Sequence, residues 1–318
     1  MNNLNDISYS EAYLSDILFH FWGKGLDEKR QLEIFDSIIK KGLLLTCGNK
    51  DSIDQFAYYS FTRKQVENVR PKQWPRVCFT EVPTDKLSHI QMRFGSFGVG
   101  FHRNTILRWG GCPVWYLPNY FEIGTQYGRV SISMNYLRQL IDLLQSLRSK
   151  IQNSEYHLTV NELSVSKNDS EDKMTHFIGT LYFLMAHFKE MSTKAGDDQS
   201  FLYEKEWRIV QGLHYGPGEE LFKKLTEEEK HDLIRMVPSW SEPYKTGMPS
   251  IDNKLSISPM IDDFYWFNGI PTQNTVATEI VEIIVPSLQL KKAVADYIGK
   301  HKSHFRDNNP TIKIASIS

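Results

Sequence analysis

The sequence predicts an α+β fold, a split β-sheet core with inserted helices. Three observations carry it. The chain opens as strand, loop and helix; strand patterns return in three later blocks; and a long stretch, at about 121–200, carries helical periodicity instead. In order, Ile17–Trp22 is a short apolar, aromatic run ended by Gly23 and reads as a strand with one polar member, His20. Leu32, Ile34, Phe35, Ile38 and Ile39 recur at helical spacing, and Gly42 follows as a C-cap before Leu43-Leu44-Leu45. Val77 to Pro83 reads as a strand ended by proline, Asp85 to Arg93 as a short helix, and Phe94 to Phe101 as a tightly packed glycine-aromatic strand. Pro113 to Pro118 is another short strand.

In the middle block, Asn135 to Lys150 places Leu137, Leu140, Ile141, Leu144 and Leu147 on one helical stripe, and Met174 to Met191 reads as a second, more apolar helix. Strand grammar returns at Phe201 to Gln211. Glu219 to Met236 is polar and helical, and 238–253 is rich in loop residues. The chain closes as strand (Glu279 to Pro286), amphipathic helix (Leu288 to His301) and strand (Thr311 to Ser316).

Composition narrows the classes. With 318 residues at 41% hydrophobic, 13% aromatic and 24% charged, there is apolar material for a sizeable core, which excludes disorder, collagen-like sequence and coiled coil. Thirty-seven basic against 38 acidic residues give a net charge of -1, so no global basic field advertises nucleic acid. Three dispersed cysteines, Cys47, Cys78 and Cys112, make neither a disulfide framework nor a zinc site, and fit a reducing cytosol. The first residues lack a basic n-region and an apolar h-region, and no run is long enough to span a bilayer. A cytoplasmic protein without membrane contact is expected.

The run Gly95-Ser-Phe-Gly98-Val-Gly100 has the wrong order for a dinucleotide fingerprint and is not a phosphate loop. It reads as small residues over which aromatic neighbours pack across a sheet. His176 with His187, and His301 with His304, have no carboxylates or cysteines at ligand spacing, so no metal is expected. The informative element is Tyr203 to Val210. On a strand, Glu204, Glu206 and Arg208 share one face. Two same-face carboxylates repel unless a cation or a polyol sits between them; alternatively Arg208 neutralises Glu206 and the ladder is structural. His20 is either an interior histidine among aromatics or a polar group with a task. The cluster Tyr58-Tyr59-Ser60-Phe61-Thr62-Arg63 is either a plain surface strand or a stacking ring beside cations.

Taken in chain order, these pieces resemble the ADP-ribosyltransferase fold, in particular its His-type toxin members. Leu18-Phe19-His20-Phe21, with a helix ending Ile38-Ile39-Lys40-Lys41-Gly42-Leu43, is similar to the entry of DarT-like transferases and of AbiGi-type abortive phage-resistance proteins. The strand VCFTEVP, the segment His89 to Phe101, and a strand carrying E-x-E-W-R extend the likeness. It covers most of 16–118, then 200–211 and 279–316, and implies one such domain over 1–318 with a helical insertion at about 121–200. It implies NAD as co-substrate, with no metal. His20 would hydrogen-bond the adenosine-side ribose. Tyr58, Tyr59 or Phe79 would stack on nicotinamide, and Thr80 would support the site. Glu206 would stabilise the oxocarbenium-like charge at the nicotinamide ribose, while Glu204 would orient the acceptor or assist as a base.

The activity so implied is a mono-ADP-ribosyltransferase toxin of a phage-defence or toxin–antitoxin system, with a cognate antitoxin. The acceptor is placed as nucleic acid, RNA ahead of single-stranded DNA or protein. Cations Arg63, Lys64, Arg70, Lys72 and Arg76 interleave with Tyr59, Phe61 and Trp74, the grammar of single-strand binding, and Arg63, Lys64 and Trp74 are the candidate contacts. The rivals are a non-catalytic antitoxin or sensor that kept the fold, and an NAD glycohydrolase.

Overall fold

The computed structural model describes residues 15–47, 56–60, 65–69, 75–81, 88–118, 205–211, 221–241, 243–246, 256–269, 275–305 and 309–315. Within 137–147 and 159–191 it describes individual positions and short strands. The first part holds strands β1 (Ile17–Trp22), β2 (Leu43–Leu45), β3 (Phe56–Ser60), β4 (Gln65–Val69), β5 (Arg76–Thr80), β6 (Phe97–His102), β7 (Cys112–Pro113) and β8 (Trp115–Pro118), with helices α1 (Glu28–Lys41), α2 (Ser88–Phe94) and α3 (Arg103–Arg108). Short strands β9 (Thr159–Val160), β10 (Leu163–Ser164) and β11 (Phe188–Met191) follow. The last part holds β12 (Glu206–Val210), β13 (Phe222–Lys224), α4 (Glu227–Met236), β14 (Pro243–Thr246), β15 (Ser256–Pro259), β16 (Tyr265–Phe267), α5 (Val276–Glu279), β17 (Ile280–Val285), α6 (Leu288–Lys300), α7 (Lys302–Phe305) and β18 (Thr311–Ile314).

The core is a seven-stranded mixed sheet in the order β18-β17-β6-β1-β5-β12-β7, so the class is α+β. Side chains alternate across a strand, so the pairing registers assign every core residue to a face. Phe19 pairs with Gly100 and Thr80, and Glu206 with Thr80; Phe79 pairs with Trp207, and His20 with Val99. One face therefore carries Leu18, His20, Trp22, Val77, Phe79, Val99, Phe101, Trp207 and Ile209. All of these but His20 join one apolar cluster with Phe35, Ile38 and Ile39 of α1 and Leu290, Val294 and Ile298 of α6. The other face carries Phe19, Phe21, Cys78, Thr80, Gly98, Gly100, Glu206, Arg208 and Ile284. There Phe19, Phe21 and Ile284 pack with Ile90 of α2 and Ala315.

Local signals fix the ends of the covering helices. Asp27 caps α1 by accepting from the Arg30 backbone N–H at 2.8 Å, and Gly42 ends it at φ 100. A Cβ at Gly42 would lie 2.1 Å from the Phe267 carbonyl oxygen, so only glycine lets the chain turn under β16 into β2. Thr226 and Glu229 form a reciprocal capping box on α4. The glycine-aromatic strand behaves as its composition suggests. A Cβ at Gly98 would meet the Phe21 ring at 2.6 Å, and one at Gly100 the Phe19 ring at 2.6 Å, so the β1 rings lie across bare β6 backbone.

Three readings are corrected. Residues 137–147 and 177–187 are helical wherever described, but the second helix does not run to Met191, because Phe188–Met191 is β11, paired in parallel with β8. The inserted block thus contributes a strand that pairs with β8, the strand that follows core strand β7 along the chain. The loop-rich tract near 238–253 contains β14, paired with β15. Before α4, residues 222–224 form a strand instead of helix, β13, in a small sheet ordered β13-β16-β2. That sheet sits over a second cluster of Cys47, Leu225, Leu233, Met260, Ile261, Phe264 and Trp266.

Candidate functional site

Four of the predicted residues, His20, Phe79, Thr80 and Glu206, fall on neighbouring strands of the core sheet, at a seam. β1 pairs with β6 over six consecutive residues, but with β5 only at Phe19 and Thr80. Beside that single pair, the His20 Nδ1–H donates to the Cys78 carbonyl oxygen at 2.9 Å, standing in for a ladder bond. A carbonyl only accepts, so the proton is on Nδ1 and the neutral ring offers Nε2 as an acceptor. The ring stacks on Trp22 at 6.1 Å and meets Phe79 edge-on at 6.0 Å. Burial among these rings lowers its pKa below 6.5, only partly offset by the hydrogen bond, which keeps His20 neutral at pH 7.

On the opposite face, Thr80 and Glu206 are direct cross-strand neighbours, as are Cys78 and Arg208. Arg208 Nε–H donates to Glu206 Oε1 at 2.7 Å, with side chains only 4% and 8% exposed. The ion pair that the sequence offered as the structural alternative therefore forms, and forms buried instead of solvated. Burial, with the Glu206 charge second, pushes the Cys78 thiol up to about 12. It is no nucleophile at neutral pH.

The arrangement separates what the family likeness would gather. Thr80 and Glu206 lie together, and His20 and Phe79 lie together, but the two pairs occupy opposite faces of one sheet. Nor does the E-x-E ladder run on as a strand. β12 begins at Glu206, and Lys205 before it has φ 43, a left-handed conformation that breaks the alternation expected to align Glu204 with Glu206. Glu204 itself lies outside the described residues, as do Arg63, Lys64, Trp74, Arg70 and Lys72. Tyr58 and Tyr59 fall on β3, opposite Glu67 and Val66 of β4, and their side chains are likewise outside the description.

Sequence reasoning missed a second buried polar group, at the far end of the His20 face. Glu81, just past β5, accepts from Trp207 Nε1–H at 2.9 Å and pairs with Arg103 at the start of α3. The Arg103 Nη2–H also donates to the Ser15 carbonyl at 2.6 Å. The signal was a glutamate at the end of an apolar strand. Its partners lie 22 and 126 positions along the chain, beyond any local pattern. At the edge of β12, the Glu206 backbone N–H donates to the Tyr116 hydroxyl at 3.3 Å, and its carbonyl accepts from the Val114 N–H at 2.8 Å.

Residues 47–234, more than half of the chain, match the family described as "Putative abortive phage resistance protein AbiGi, antitoxin". The chain belongs to this family. The AbiGi match takes in β5, β6 and β12, hence Cys78, Thr80, Glu206 and Arg208, and stops short of β1 with His20 and of the closing β17 and β18. It connects the chain with abortive infection in phage defence. No curated protein and no solved structure matches it. Among the described residues no group of His, Cys, Asp or Glu is placed to hold a metal, and no helix is long and apolar enough to cross a membrane.

Proposed function

We propose that this AbiGi-family chain is the antitoxin of an abortive-infection pair and works by binding its cognate toxin, not by catalysis. The observation that carries the reading is the Glu206–Arg208 pair. A carboxylate meant to meet developing positive charge must be open to substrate, whereas this one is buried and neutralised at 2.7 Å. The family's antitoxin description points the same way. NAD fits poorly as well, because the groups expected to embrace it stand on opposite faces of the sheet.

The test pairs two assays. Purified chain, incubated with labelled NAD and lysate, leaves the label in NAD, and co-expression restores growth to cells arrested by the cognate toxin. Label transfer that disappears in Glu206→Gln, in a variant shown to be folded, would falsify the binding reading.

A second reading is supported by the seam, where β1 and β5 share a single pair and His20 spans the gap. It is the NAD-dependent ADP-ribosyltransferase toxin acting on RNA, DNA or protein, or the NAD glycohydrolase with water as acceptor. Nuclease and protease digestion of labelled products separates the acceptors, and label released as free ADP-ribose marks the hydrolase.

A further inference from the structure

The core sheet ends at an open strand edge. β18 pairs with β17 from Glu282–Thr311 to Val285–Ile314 and, among the described residues, has no strand on its other side. Beyond the last pair, the Ala315 N–H donates to the Val285 carbonyl at 2.8 Å. Successive residues of a strand present their backbone groups to alternate sides. Lys313, like Ala315, therefore turns its N–H and C=O to β17, while Ile312 and Ile314 turn theirs outward. No described residue bonds to those outward groups. The usual guard of such an edge is a lysine held out into water. Here the Lys313 Nζ reaches back onto the sheet, 2.8 Å from the buried carboxylate of Glu282.

Apolar and basic side chains border that edge. Leu290, Val294 and Ile298 turn α6 onto the core, and on its flank the Tyr297 hydroxyl donates to Asp36 of α1. α1 lies over β6, where Phe35 stacks on Phe97 at 5.5 Å, so this flank faces the middle of the sheet. At about 100° per residue, Leu288 and Lys291 fall on the opposite flank, beside β18. Leu288 is 72% exposed, and Ile314, on the α6 side of the sheet with Val285, is 43% exposed. From Leu288 to Phe305 four lysines, Lys291, Lys292, Lys300 and Lys302, stand against one acid, Asp296. None of these five forms an ion pair among the described residues.

We propose that the cognate toxin docks at this edge by adding an extended, acidic segment of its own to β18, a step that rests on the antitoxin reading above. The segment's backbone completes the ladder at Ile312 and Ile314, its carboxylates meet Lys291 and the neighbouring lysines, and its apolar side chains cover Leu288 and Ile314. Open backbone selects an extended chain over a helix, because a helix spends its own N–H and C=O groups internally. Charge selects an acidic segment over a second copy, whose lysines would be brought against these.

Fluorescence anisotropy of the full chain with a labelled peptide of alternating valine and glutamate tests the edge. Growth rescue of cells carrying the cognate toxin tests its occupant. The wild type binds the peptide, and binds a valine–lysine counterpart about tenfold more weakly. Ile314→Pro removes an outward N–H and leaves the bonds to β17 in place, as proline is accepted on edge strands. It weakens peptide binding about tenfold and loses rescue, whereas Ile314→Val, which keeps the N–H, behaves as the wild type in both assays. Denaturation midpoints near that of the wild type show that both variants are folded. Equal peptide binding by wild type and Ile314→Pro overturns the proposal. Rescue undiminished in Ile314→Pro also overturns it, placing the toxin elsewhere while the antitoxin reading stands. A wild type that binds the peptide but rescues nothing removes the antitoxin reading and, with it, the toxin as occupant. A wild-type dimer that Ile314→Pro returns to monomer in sedimentation overturns the proposal as well, since a second copy then holds the edge.

Discussion

At the scale of single residues, the Glu206–Arg208 pair governs what this face of the sheet does. Two buried charges held at 2.7 Å tolerate the loss of both far better than the loss of one, because the survivor is left uncompensated. Glu206→Ala and Arg208→Ala are each expected to cost about 3–5 kcal/mol in chemical denaturation. The double variant Glu206→Met/Arg208→Met is expected to be at least as stable as either single one. Independent, additive losses would show that the two side chains do not act as a pair. Legibility in the sequence stops at this level of detail. The pattern E-x-E-W-R announced that Glu206 and Arg208 share a face, and alternation left neutralisation of Glu206 by Arg208 as one of two open readings. What strand pattern cannot disclose is register between strands. Only the pairing of Phe19 with Thr80, and of Thr80 with Glu206, reveals that His20 points away from Glu206. The left-handed turn at Lys205 was equally hidden, since lysine carries no composition signal for positive φ.

At the scale of elements, β1, α1, β5, β6, β17, α6 and β18 all fall where periodicity, caps and glycines put them, because each is bounded by a strong local signal, whereas β12 begins at Glu206 instead of running in through Lys205. The misses share one physical cause. β13 and β16 are three-residue strands whose stability comes from partners far away in sequence, and β11 is strand only because β8 lies alongside it. Local propensity is outvoted by tertiary context in such short pieces. The contact between β1 and β6 is the sharpest element-level case, since Phe19 and Phe21 occupy the space that side chains at Gly100 and Gly98 would need. Gly100→Ala is expected to cost about 1–3 kcal/mol by overpacking against the buried Phe19 ring. Phe19→Leu made together with Gly100→Ala should recover part of that loss, and the coupling is read from a double-mutant cycle in chemical denaturation. A cycle with no coupling energy would mean that the ring does not hold the glycine site closed.

At the scale of the whole molecule, the seam between β1 and β5 divides the sheet into a four-strand part, β18-β17-β6-β1, and a three-strand part, β5-β12-β7. Across it run one residue pair and the His20 bond to the Cys78 carbonyl, so the protonation state of one ring bears on how firmly the halves join. Burial lowers the His20 pKa in the folded chain below its ordinary 6.5. In the unfolded chain the ring takes up its proton near 6.5, while in the folded chain it resists until lower pH. The unfolded state then binds more protons, and stability falls with falling pH. The contribution is fully present above about 6.5 and is lost as pH falls through the folded value. Asp36 and Glu229, held below the usual carboxylate range by their lysine and hydrogen-bond partners, titrate further down. Denaturation free energy is therefore expected to drop between about pH 7.5 and about pH 5.5 in the wild type. His20→Gln, which cannot titrate, should start from lower stability and show a smaller drop. Subtracting the two slopes removes every contribution common to both proteins. An unchanged slope in His20→Gln would mean that this ring titrates alike in the folded and unfolded chains, and that the seam does not depend on its charge.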